Sequence, residues 1–306
     1  MRKVYTIGET VLDILFKENL PFTAKAGGAC LNTAVTLGRL NIPVYFIGEY
    51  GLDEVGNFID TFLNENNVNT NYVYRYYDGQ SALALAFLNK NNDASYDFYK
   101  IYPEKRLNID FPEIQQDDIV VFGSFYAITY EVRKKLIHFI NHAKKNKAII
   151  IYDPNFRKQH LHDLSKLKPM IMENMSLANI VRGSNEDFSF ILGVRNADEA
   201  WDQMKDITSN LLFTSNKTGV FLRNQNLSEK FPVKQIETKS TIGAGDNFNA
   251  GIVYSLYKNH IKTKDINNLG VDQWKEIVDT AVQFATHVCH SFDNYISNEY
   301  AEQYKL

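Results

Sequence analysis

The chain has 306 residues, of which 44% are hydrophobic and 23% are charged, and its formal net charge is −3. This composition is typical of a globular protein and argues against long disordered segments. The slightly negative charge gives no overall field that would attract nucleic acid, so a nucleic-acid partner is not expected.

The cysteines and the N-terminal residues favour the reducing interior of the cell. The chain has two cysteines, Cys30 and Cys289, which fit neither a disulfide framework nor a zinc site. The first residues lack the apolar run of a signal peptide, and no stretch approaches the roughly 18 apolar residues of a membrane span. We therefore predict a cytoplasmic protein without a membrane partner.

The first predicted strand, residues 4–7, is followed by a polar residue and by two glycines that can serve a ligand site. Asp13 lies shortly after this strand, and Gly27 and Gly28 precede a helical pattern that contains Asn32. Adjacent glycines let the backbone approach a ligand closely, and an asparagine amide both donates and accepts hydrogen bonds. On the residues alone, Asp13 could equally stabilise a turn, and the glycine segment could be a loop before a core helix.

Residues 67–101 contain strand patterns without intervening helices. Runs rich in β-forming residues cover 73–77, 81–88 and 96–101, and a polar turn is expected at 89–94. Strands that follow one another in this way predict a small antiparallel sheet, set off from the main part of the fold.

From residue 119 onward, strand and helix patterns alternate. The apolar runs 119–122 and 148–152 are continuous, which is typical of parallel strands that are buried on both faces. The alternation predicts an α/β fold with a mainly parallel sheet and right-handed crossovers. Ligands of such folds bind at the carboxyl ends of the strands. The residues at or just past these predicted ends are Gly8, Gly123, Asp153, Ser184 and Gly243.

The motif Gly243-Ala-Gly-Asp246 precedes a helical pattern over residues 247–257. Unpaired backbone N–H groups and the helix dipole make such a helix N-terminus an anion site. Asp246 could be a simple helix cap, or a general base beside a bound phosphate. The chain has no Walker A pattern, so P-loop chemistry is not supported.

Two segments resemble the signatures of the ribokinase-like (PfkB) sugar kinases. The first is Gly27-Gly-x-x-x-Asn32-x-Ala, and the second is Gly243-Ala-Gly-Asp246-x-Phe-x-Ala-Gly. The resemblance covers nearly the whole chain. It implies an α/β fold, namely a ribokinase-like three-layer sandwich with a mainly parallel central sheet, and a small β-sheet lid.

The resemblance also implies a domain organisation and an activity. Residues 1–306 would form a single kinase domain, with a lid built from approximately 11–25 and 70–101. The activity would be transfer of the γ-phosphoryl group of ATP to a primary hydroxyl of a small sugar, with Mg²⁺ bridging the phosphates. Lids of this family often pair between subunits, so a homodimer through the lid is expected.

Individual roles follow from the same resemblance. Asp246 would take the proton from the sugar hydroxyl, and the turn made by Gly243, Ala244 and Gly245 would present backbone N–H groups to the developing charge. The predicted substrate contacts are Asp13, Gly27, Gly28, Asn32, Phe98 and Arg157. The predicted nucleotide contacts are Asn155, Ser184, Asp187, Thr214, Gly219 and Thr241. On the residues alone, Arg157 could instead form a salt bridge to a neighbouring acid, and the turn 214–219 could be an ordinary hairpin.

The chain departs from the family pattern at several positions. Ser184 and Asp187 stand where many relatives have an Asn and a Glu that help organise magnesium and phosphate, and Glu186 could take the role of that glutamate. Ser240 stands where many relatives have an Asp of a monovalent-cation site. Residues 291–295 lack the usual Gly-Ala of that site, which puts potassium activation in doubt.

Three features favour fructose as the sugar. The segments 153–157 and 98–100, together with Ser184, resemble those of fructokinase-like members, although Lys100 stands where these have arginine with its planar fork. Ribose, a 2-keto-3-deoxy sugar acid or a nucleoside could fit the same site. A non-catalytic sugar or nucleotide sensor is the alternative from a different class, and the intact motif 243–246 argues against it.

Overall fold

The computed structural model describes residues 2–18, 20–88, 94–216 and 218–306. Apart from residue 94, the turn expected at 89–94 lies outside this part of the chain. The strands are β1 (Val4–Ile7), β2 (Val11–Lys17), β3 (Leu20–Gly27), β4 (Val44–Gly51), β5 (Val68–Tyr76), β6 (Gln80–Leu88), β7 (Ala94–Ile101), β8 (Ile119–Gly123), β9 (Ile149–Asp153), β10 (Ile180–Ser184), β11 (Asn210–Ser215), β12 (Gly219–Asn224) and β13 (Ser228–Phe231). The helices are α1 (Ala29–Arg39), α2 (Glu54–Glu65), α3 (Tyr130–Lys145), α4 (Leu164–Leu177), α5 (Asn185–Leu192), α6 (Ala197–Met204), α7 (Ala244–Lys258), α8 (Val271–Cys289) and α9 (Asn298–Ala301).

The larger sheet is mainly parallel, as predicted. Its strand order among the described residues is β13-β12-β11-β10-β9-β8-β1-β4-β5. Every neighbouring pair from β11 to β5 is parallel, and β12 and β13 add antiparallel strands at one edge. All residues of β8 and β9 are buried, which explains their continuous apolar sequences.

Helices cover both faces of this sheet and make three layers. One hydrophobic cluster joins α1, α2, α7 and α8 to one face, and a second joins α3, α4, α5 and α6 to the other. Because successive strand residues point to opposite faces, the neighbours Val4 and Tyr5 of β1 fall in different clusters. The predicted three-layer α/β architecture is therefore confirmed.

The smaller sheet has the order β3-β2-β6-β7 among the described residues. It is mixed rather than purely antiparallel, since β2 pairs with β6 in parallel. The sequence predicted an antiparallel sheet because each hairpin is antiparallel, but β2 and β6 are far apart in the chain and no turn fixes their relative direction. Residues 68–76, part of which was assigned to the lid, form β5 and pair with β4 in the larger sheet.

The carboxyl ends of β1, β8, β9, β10 and β11 meet at one edge of the larger sheet, because these strands are parallel neighbours. Helices α1 and α7 pack against each other there and both begin at this edge. None of the helices in the described ranges combines the length and the apolar character that a membrane span needs.

Candidate active site

A hydrogen bond joins the two segments that carried the sequence signatures. Asn32 lies at the start of α1 and Asp246 lies in the first turn of α7. The Asn32 Nδ2 amide donates a hydrogen bond to Asp246 Oδ2 at 2.8 Å. Asp246 is buried, with only 8% of its surface exposed. The two distant segments therefore build one site.

Burial sets the protonation behaviour of this carboxyl group. Burial raises the pKa of Asp246 to about 6, and the hydrogen bond from Asn32 opposes that rise. The negative charge of Asp153 raises the pKa further, whereas the positive charges of Arg157 and Arg182 lower it. Among the described residues, no group donates a hydrogen bond to the other oxygen, Oδ1. At neutral pH the group is mostly ionised, with one oxygen held in place and one available to take a proton.

Two threonines of α1 help to fix this helix against α7. The Thr33 hydroxyl donates to the backbone oxygen of Asp246 at 2.9 Å, and the Thr36 hydroxyl donates to Asn247 Oδ1 at 2.5 Å. Neither threonine was among the site residues predicted from the sequence. The only available signal was their position on the same helix as Asn32.

Gly243 provides the turn that begins α7. Its φ of 78° lies in the left-handed region, and a side chain there would bring Cβ to 2.5 Å from the backbone oxygen of Asn294. The Asn247 amide donates to the backbone oxygens of both Gly243 and Asn294 at 2.8 Å. The turn is therefore held closely against the segment after α8.

The first N–H groups of α7 face this turn. Ala244 N–H donates to the Thr241 oxygen at 3.3 Å, which is a long bond. The N–H groups of Gly245 and Asp246 find no acceptor in the described part of the chain, as is usual at the start of a helix. They can bind an anion, and the helix dipole favours one there.

Arg182 is a buried cation beside this helix start, and it was not among the site residues predicted from the sequence. Its Nη1 donates to Asp153 Oδ2 at 2.8 Å and its Nη2 donates to Thr214 Oγ1 at 2.9 Å. A Cβ on Gly245 would lie 2.7 Å from Arg182 Nη1. The available signal was an arginine within an otherwise apolar strand pattern, since a buried arginine is rare without a partner.

Asp13 and the glycine pair lie where the lid strands meet α1. A Cβ on Gly27 would lie 2.2 Å from Asp13 Oδ2, and one on Gly28, whose φ is 128°, would lie 2.2 Å from the Glu9 oxygen. Burial raises the pKa of Asp13 to about 7. Neither the carboxyl group of Asp13 nor the buried Oδ1 of Asn32 has a hydrogen-bond partner in the described residues. Such acceptors are expected to bind a ligand that donates hydrogen bonds.

The predicted nucleotide contacts Ser184 and Asp187 form a capping box at the start of α5. Asp187 Oδ2 accepts from the backbone N–H and the hydroxyl of Ser184, at 2.7 and 2.6 Å, and Asp187 Oδ1 accepts from Phe156 N–H at 2.6 Å. Both oxygens of Asp187 are thus used within the protein. Its neighbour Glu186 is exposed. Asn155, which has a φ of 39°, donates its N–H to Asp153 Oδ1 at 3.0 Å.

An open cavity of about 440 Å³ is lined mainly by residues that shortly precede α7 in the sequence. It is lined by Ile236, Glu237, Thr238, Lys239 and His290. Thr241 is exposed and lies in the sequence between the lining residue Lys239 and the turn at Gly243. Gly219 has a φ of 127° and approaches the Phe231 oxygen, so the hairpin geometry itself requires a glycine there. His290 was not among the site residues predicted from the sequence.

The two remaining predicted contacts are more exposed. Phe98 lies on β7 of the smaller sheet, where the Lys100 ammonium lies over its ring and pairs with Glu9 at 2.8 Å. Arg157 is exposed, and within the described ranges it makes no salt bridge, although its charge lowers the pKa of Asp246.

In the same ranges, no group of three or more His, Cys, Asp or Glu side chains could hold a metal ion.

Comparison with known proteins gives one consistent result. Residues 1–292 match the model of the pfkB family carbohydrate kinases. The fructokinase of Vibrio alginolyticus is 25% identical over 268 residues, which cover 85% of this chain and 87% of that protein.

Solved structures show the same fold. The crystal structure of the Vibrio cholerae fructokinase, bound to fructose, ADP and a calcium ion, has a TM-score of 0.85 at 20% identity and covers 100% of this chain and 99% of its own. The aminoimidazole riboside kinase of Salmonella enterica, complexed with its riboside and an ATP analogue, has a TM-score of 0.84 at 19% identity and covers 99% of each chain.

Proposed function

The chain belongs to the pfkB family of carbohydrate kinases, and we propose that it transfers the γ-phosphoryl group of ATP to a primary hydroxyl of fructose. The main support for the proposal is the Asn32–Asp246 hydrogen bond. It brings the hydrogen-bond acceptors near Asn32, which suit a sugar, next to a carboxylate at the anion-binding start of α7. Fructose is favoured by the fructokinase names of the relatives and by the segments 153–157 and 98–100.

In the proposed reaction, Asp246 Oδ1 takes the proton of the sugar hydroxyl while the hydroxyl oxygen attacks the γ-phosphorus. The bond between this phosphorus and the bridging oxygen of ADP breaks, and the proton leaves Asp246 after product release. The N–H groups of Gly245 and Asp246 and the α7 dipole stabilise the charge on the phosphoryl oxygens. Positioning and electrostatics carry most of the catalysis, as is usual in phosphoryl transfer.

The sugar is expected to bind between the lid and α1. Asp13 and the Oδ1 atom of Asn32 are hydrogen-bond acceptors without partners in the described chain, and sugar hydroxyls are donors that match them. Gly27 and Gly28 keep the wall of the pocket free of side chains. The Lys100 ammonium is already paired with Glu9, so the pocket favours a neutral sugar over a sugar acid.

ATP is expected to extend from the cavity lined by residues 236–239 to the start of α7. The base would occupy the cavity beside His290, and Thr241 would lie between it and the phosphates. We expect Mg²⁺ to arrive with the phosphates, where it would neutralise part of their charge. The exposed Glu186 is better placed than Asp187 to hold a magnesium-bound water, because both oxygens of Asp187 are already used.

We further propose that residues 1–306 work as a single cytoplasmic kinase domain whose smaller sheet acts as a lid and as a dimer interface. Exposed apolar residues on this sheet support the interface. Leu20, Phe22, Tyr99 and Ile101 are each more than half exposed. Leu20 and Phe22 lie on β3, and Tyr99 and Ile101 lie on β7, so exposed apolar side chains occupy both outer strands of this sheet. Exposed apolar side chains grouped on one element are typical of an interaction surface.

A riboside is the second candidate acceptor, because the aminoimidazole riboside kinase has nearly the same backbone as this chain. ADP release measured with fructose, ribose, a 2-keto-3-deoxy sugar acid, aminoimidazole riboside and a nucleoside tests all candidates together. We expect the highest kcat/KM with fructose. A higher value with a riboside would replace fructose, and binding without ADP release would support a sensor instead.

A further inference from the structure

We propose that Arg182 is a catalytic residue of this kinase, and that its guanidinium binds the phosphoryl group during transfer. The inference rests on the proposed kinase reaction but goes beyond the residues that the sequence signatures single out. It assigns Arg182 as the fixed positive charge that faces the start of α7.

Three neighbouring strands fix the guanidinium in place. Arg182 comes from β10, its partner Asp153 ends β9 and its partner Thr214 lies on β11. Arg182 is only 8% exposed, so the bonds at 2.8 and 2.9 Å are shielded from water. A guanidinium held in this way costs little reorganisation when a ligand binds, which is what electrostatic catalysis requires.

The guanidinium also lies close to the anion-binding helix start. The position that a Cβ of Gly245 would take lies 2.7 Å from Arg182 Nη1 and 3.4 Å from Nη2. Any side chain at residue 245 would therefore collide with the guanidinium. The φ of Gly245 is not in the left-handed region, so its backbone conformation does not require glycine. The close approach of the guanidinium explains why glycine occupies this position.

Arg182 has unused donors. The bonds to Asp153 and Thr214 use one N–H of each terminal nitrogen, and a guanidinium has further N–H groups. The Nε atom is buried and has no acceptor among the residues that the structure describes. A buried donor without a described acceptor, on a guanidinium whose terminal nitrogens border the unpaired backbone N–H groups of α7, indicates an anionic ligand.

A purely structural role, neutralising the buried Asp153, explains less. Asp153 also accepts hydrogen bonds from the Asn249 amide at 2.7 Å and from Asn155 N–H at 3.0 Å. Neutralisation alone requires neither the contact with Gly245 nor a free Nε donor. In the reaction Arg182 keeps its protons, and its charge offsets the negative charge on the phosphoryl oxygens as the bond to ADP breaks.

The test compares Arg182→Met, Arg182→Lys and Arg182→Ala with Arg223→Met. Arg223 is a matched control because it is 7% exposed and pairs with Asp198 at 2.7 Å, but it lies on β12, two strands away from β10, and its partner belongs to α6 rather than to the site. We expect Arg182→Met to lower kcat at least about 10²-fold, with a fructose KM within a few-fold of wild type. Arg182→Lys should retain part of the rate, and Arg223→Met should retain kcat.

Two further readouts separate catalysis from folding. Guanidinium added at millimolar concentration should partly restore the rate of Arg182→Ala but not that of Asp246→Asn. Arg182→Met combined with Asp153→Asn, which leaves no unpaired buried carboxylate, should fold and still show the loss. A kcat of Arg182→Met near wild type, or a loss that guanidinium does not relieve in Arg182→Ala, would overturn the proposal.

The inference can fail separately from the proposed function. Arg182→Met should weaken binding of a non-hydrolysable ATP analogue at least about tenfold, without changing the binding of adenosine, and this measurement needs no sugar. Equal binding of the analogue by wild type and Arg182→Met would reject the role of Arg182. Absence of ADP release from the wild-type protein with every sugar would reject only the proposed function.

Discussion

The Asn32 side chain donates a 2.8 Å hydrogen bond to the carboxylate of Asp246, a residue 214 positions further along the chain. This bond holds one oxygen of the proposed base in a fixed direction and leaves the other available. It also leaves the Oδ1 atom of Asn32 buried and without a described partner, so the same amide can accept a bond from a sugar hydroxyl. In the proposed reaction, Asn32 would thus connect substrate binding to the base.

The pH dependence of kcat should report Asp246. Burial raises its pKa to about 6, so kcat at saturating sugar is expected to fall as the pH drops below about 6, because a protonated carboxyl cannot accept the hydroxyl proton. Asn32→Asp places a second carboxylate against the first, which should raise the pKa of Asp246 and move the acid limb at least about one unit upward.

Asn41→Asp is the matched control for this shift, since Asn41 is exposed just beyond the end of the same helix. Its pH profile should overlay that of wild type. The role of Asp246 as the base would be contradicted if the acid limb of Asn32→Asp coincided with that of wild type while substantial activity remained.

Asp13→Asn should weaken sugar binding and stabilise the fold. A hydrogen bond to a charged group contributes about 1.5–3 kcal/mol, so the sugar KM should rise roughly 10- to 100-fold. Burial raises the pKa of Asp13 to about 7, above its unfolded value, so its ionisation opposes folding as the pH rises through 7. The midpoint of thermal unfolding of Asp13→Asn should therefore exceed that of wild type at pH 8.5 and approach it at pH 4.

Asp97→Asn, on an exposed residue of the same small sheet, serves as the control and should change neither quantity. An unchanged sugar KM in Asp13→Asn would remove Asp13 from the sugar site. A stability gain of equal size at both pH values would show that ionisation of Asp13 is not its cause.

Sequence patterns predicted the architecture and the position of the site because both follow from local rules. Continuous apolar strands alternating with helices require a parallel sheet, and parallel strands place their carboxyl ends at one edge. Gly8, Gly123, Asp153, Ser184 and Gly243 were therefore predicted at the same edge. The role of Asn32 came from the family resemblance, and its contact with Asp246 was not predicted. The fold itself is confirmed by the structure and by the related crystal structures.

The remaining features depend on which elements become neighbours in space. The strand over 68–76 has the same β-forming sequence whether it pairs with β4 or with the lid, so its place in the larger sheet could not be predicted. Arg182 needs Asp153, Thr214 and Gly245 around it, and these come from two other strands and a helix. Asp187 has the residue type of a magnesium contact, and only the structure shows that its oxygens are used internally.

Activity is expected to be independent of potassium. Ser240 has no charge, and its hydroxyl accepts a hydrogen bond from Ile242 N–H at 3.1 Å. In the segment 291–295, the Lys25 ammonium already binds the Phe292 oxygen at 2.9 Å and the Asp293 carboxylate at 2.6 Å. Rates in potassium chloride and in choline chloride at equal ionic strength should agree within about twofold, since surface effects of salt are then matched. A rate that is tenfold higher in potassium would contradict this prediction.

The proposed dimer through the lid should be sensitive to a charge on the smaller sheet. Leu20 is 69% exposed on β3, and burying a glutamate at that position in an interface would be unfavourable. Leu20→Glu should convert the protein from dimer to monomer in light scattering after size-exclusion chromatography. Tyr130→Glu, at an 85% exposed residue of α3, should remain dimeric. Wild-type protein that is monomeric at all concentrations would reject the interface.

The most direct test of the account is the turnover of Asp246→Asn with ATP and the sugar that wild type prefers. This change keeps the shape of the side chain and removes the group that accepts the proton, so kcat should fall at least about 10²- to 10⁴-fold while the KM for sugar and ATP stays near wild type. Asp272→Asn, the same change in the exposed first turn of α8, should leave kcat unaltered. A turnover of Asp246→Asn close to that of wild type would contradict the proposed mechanism.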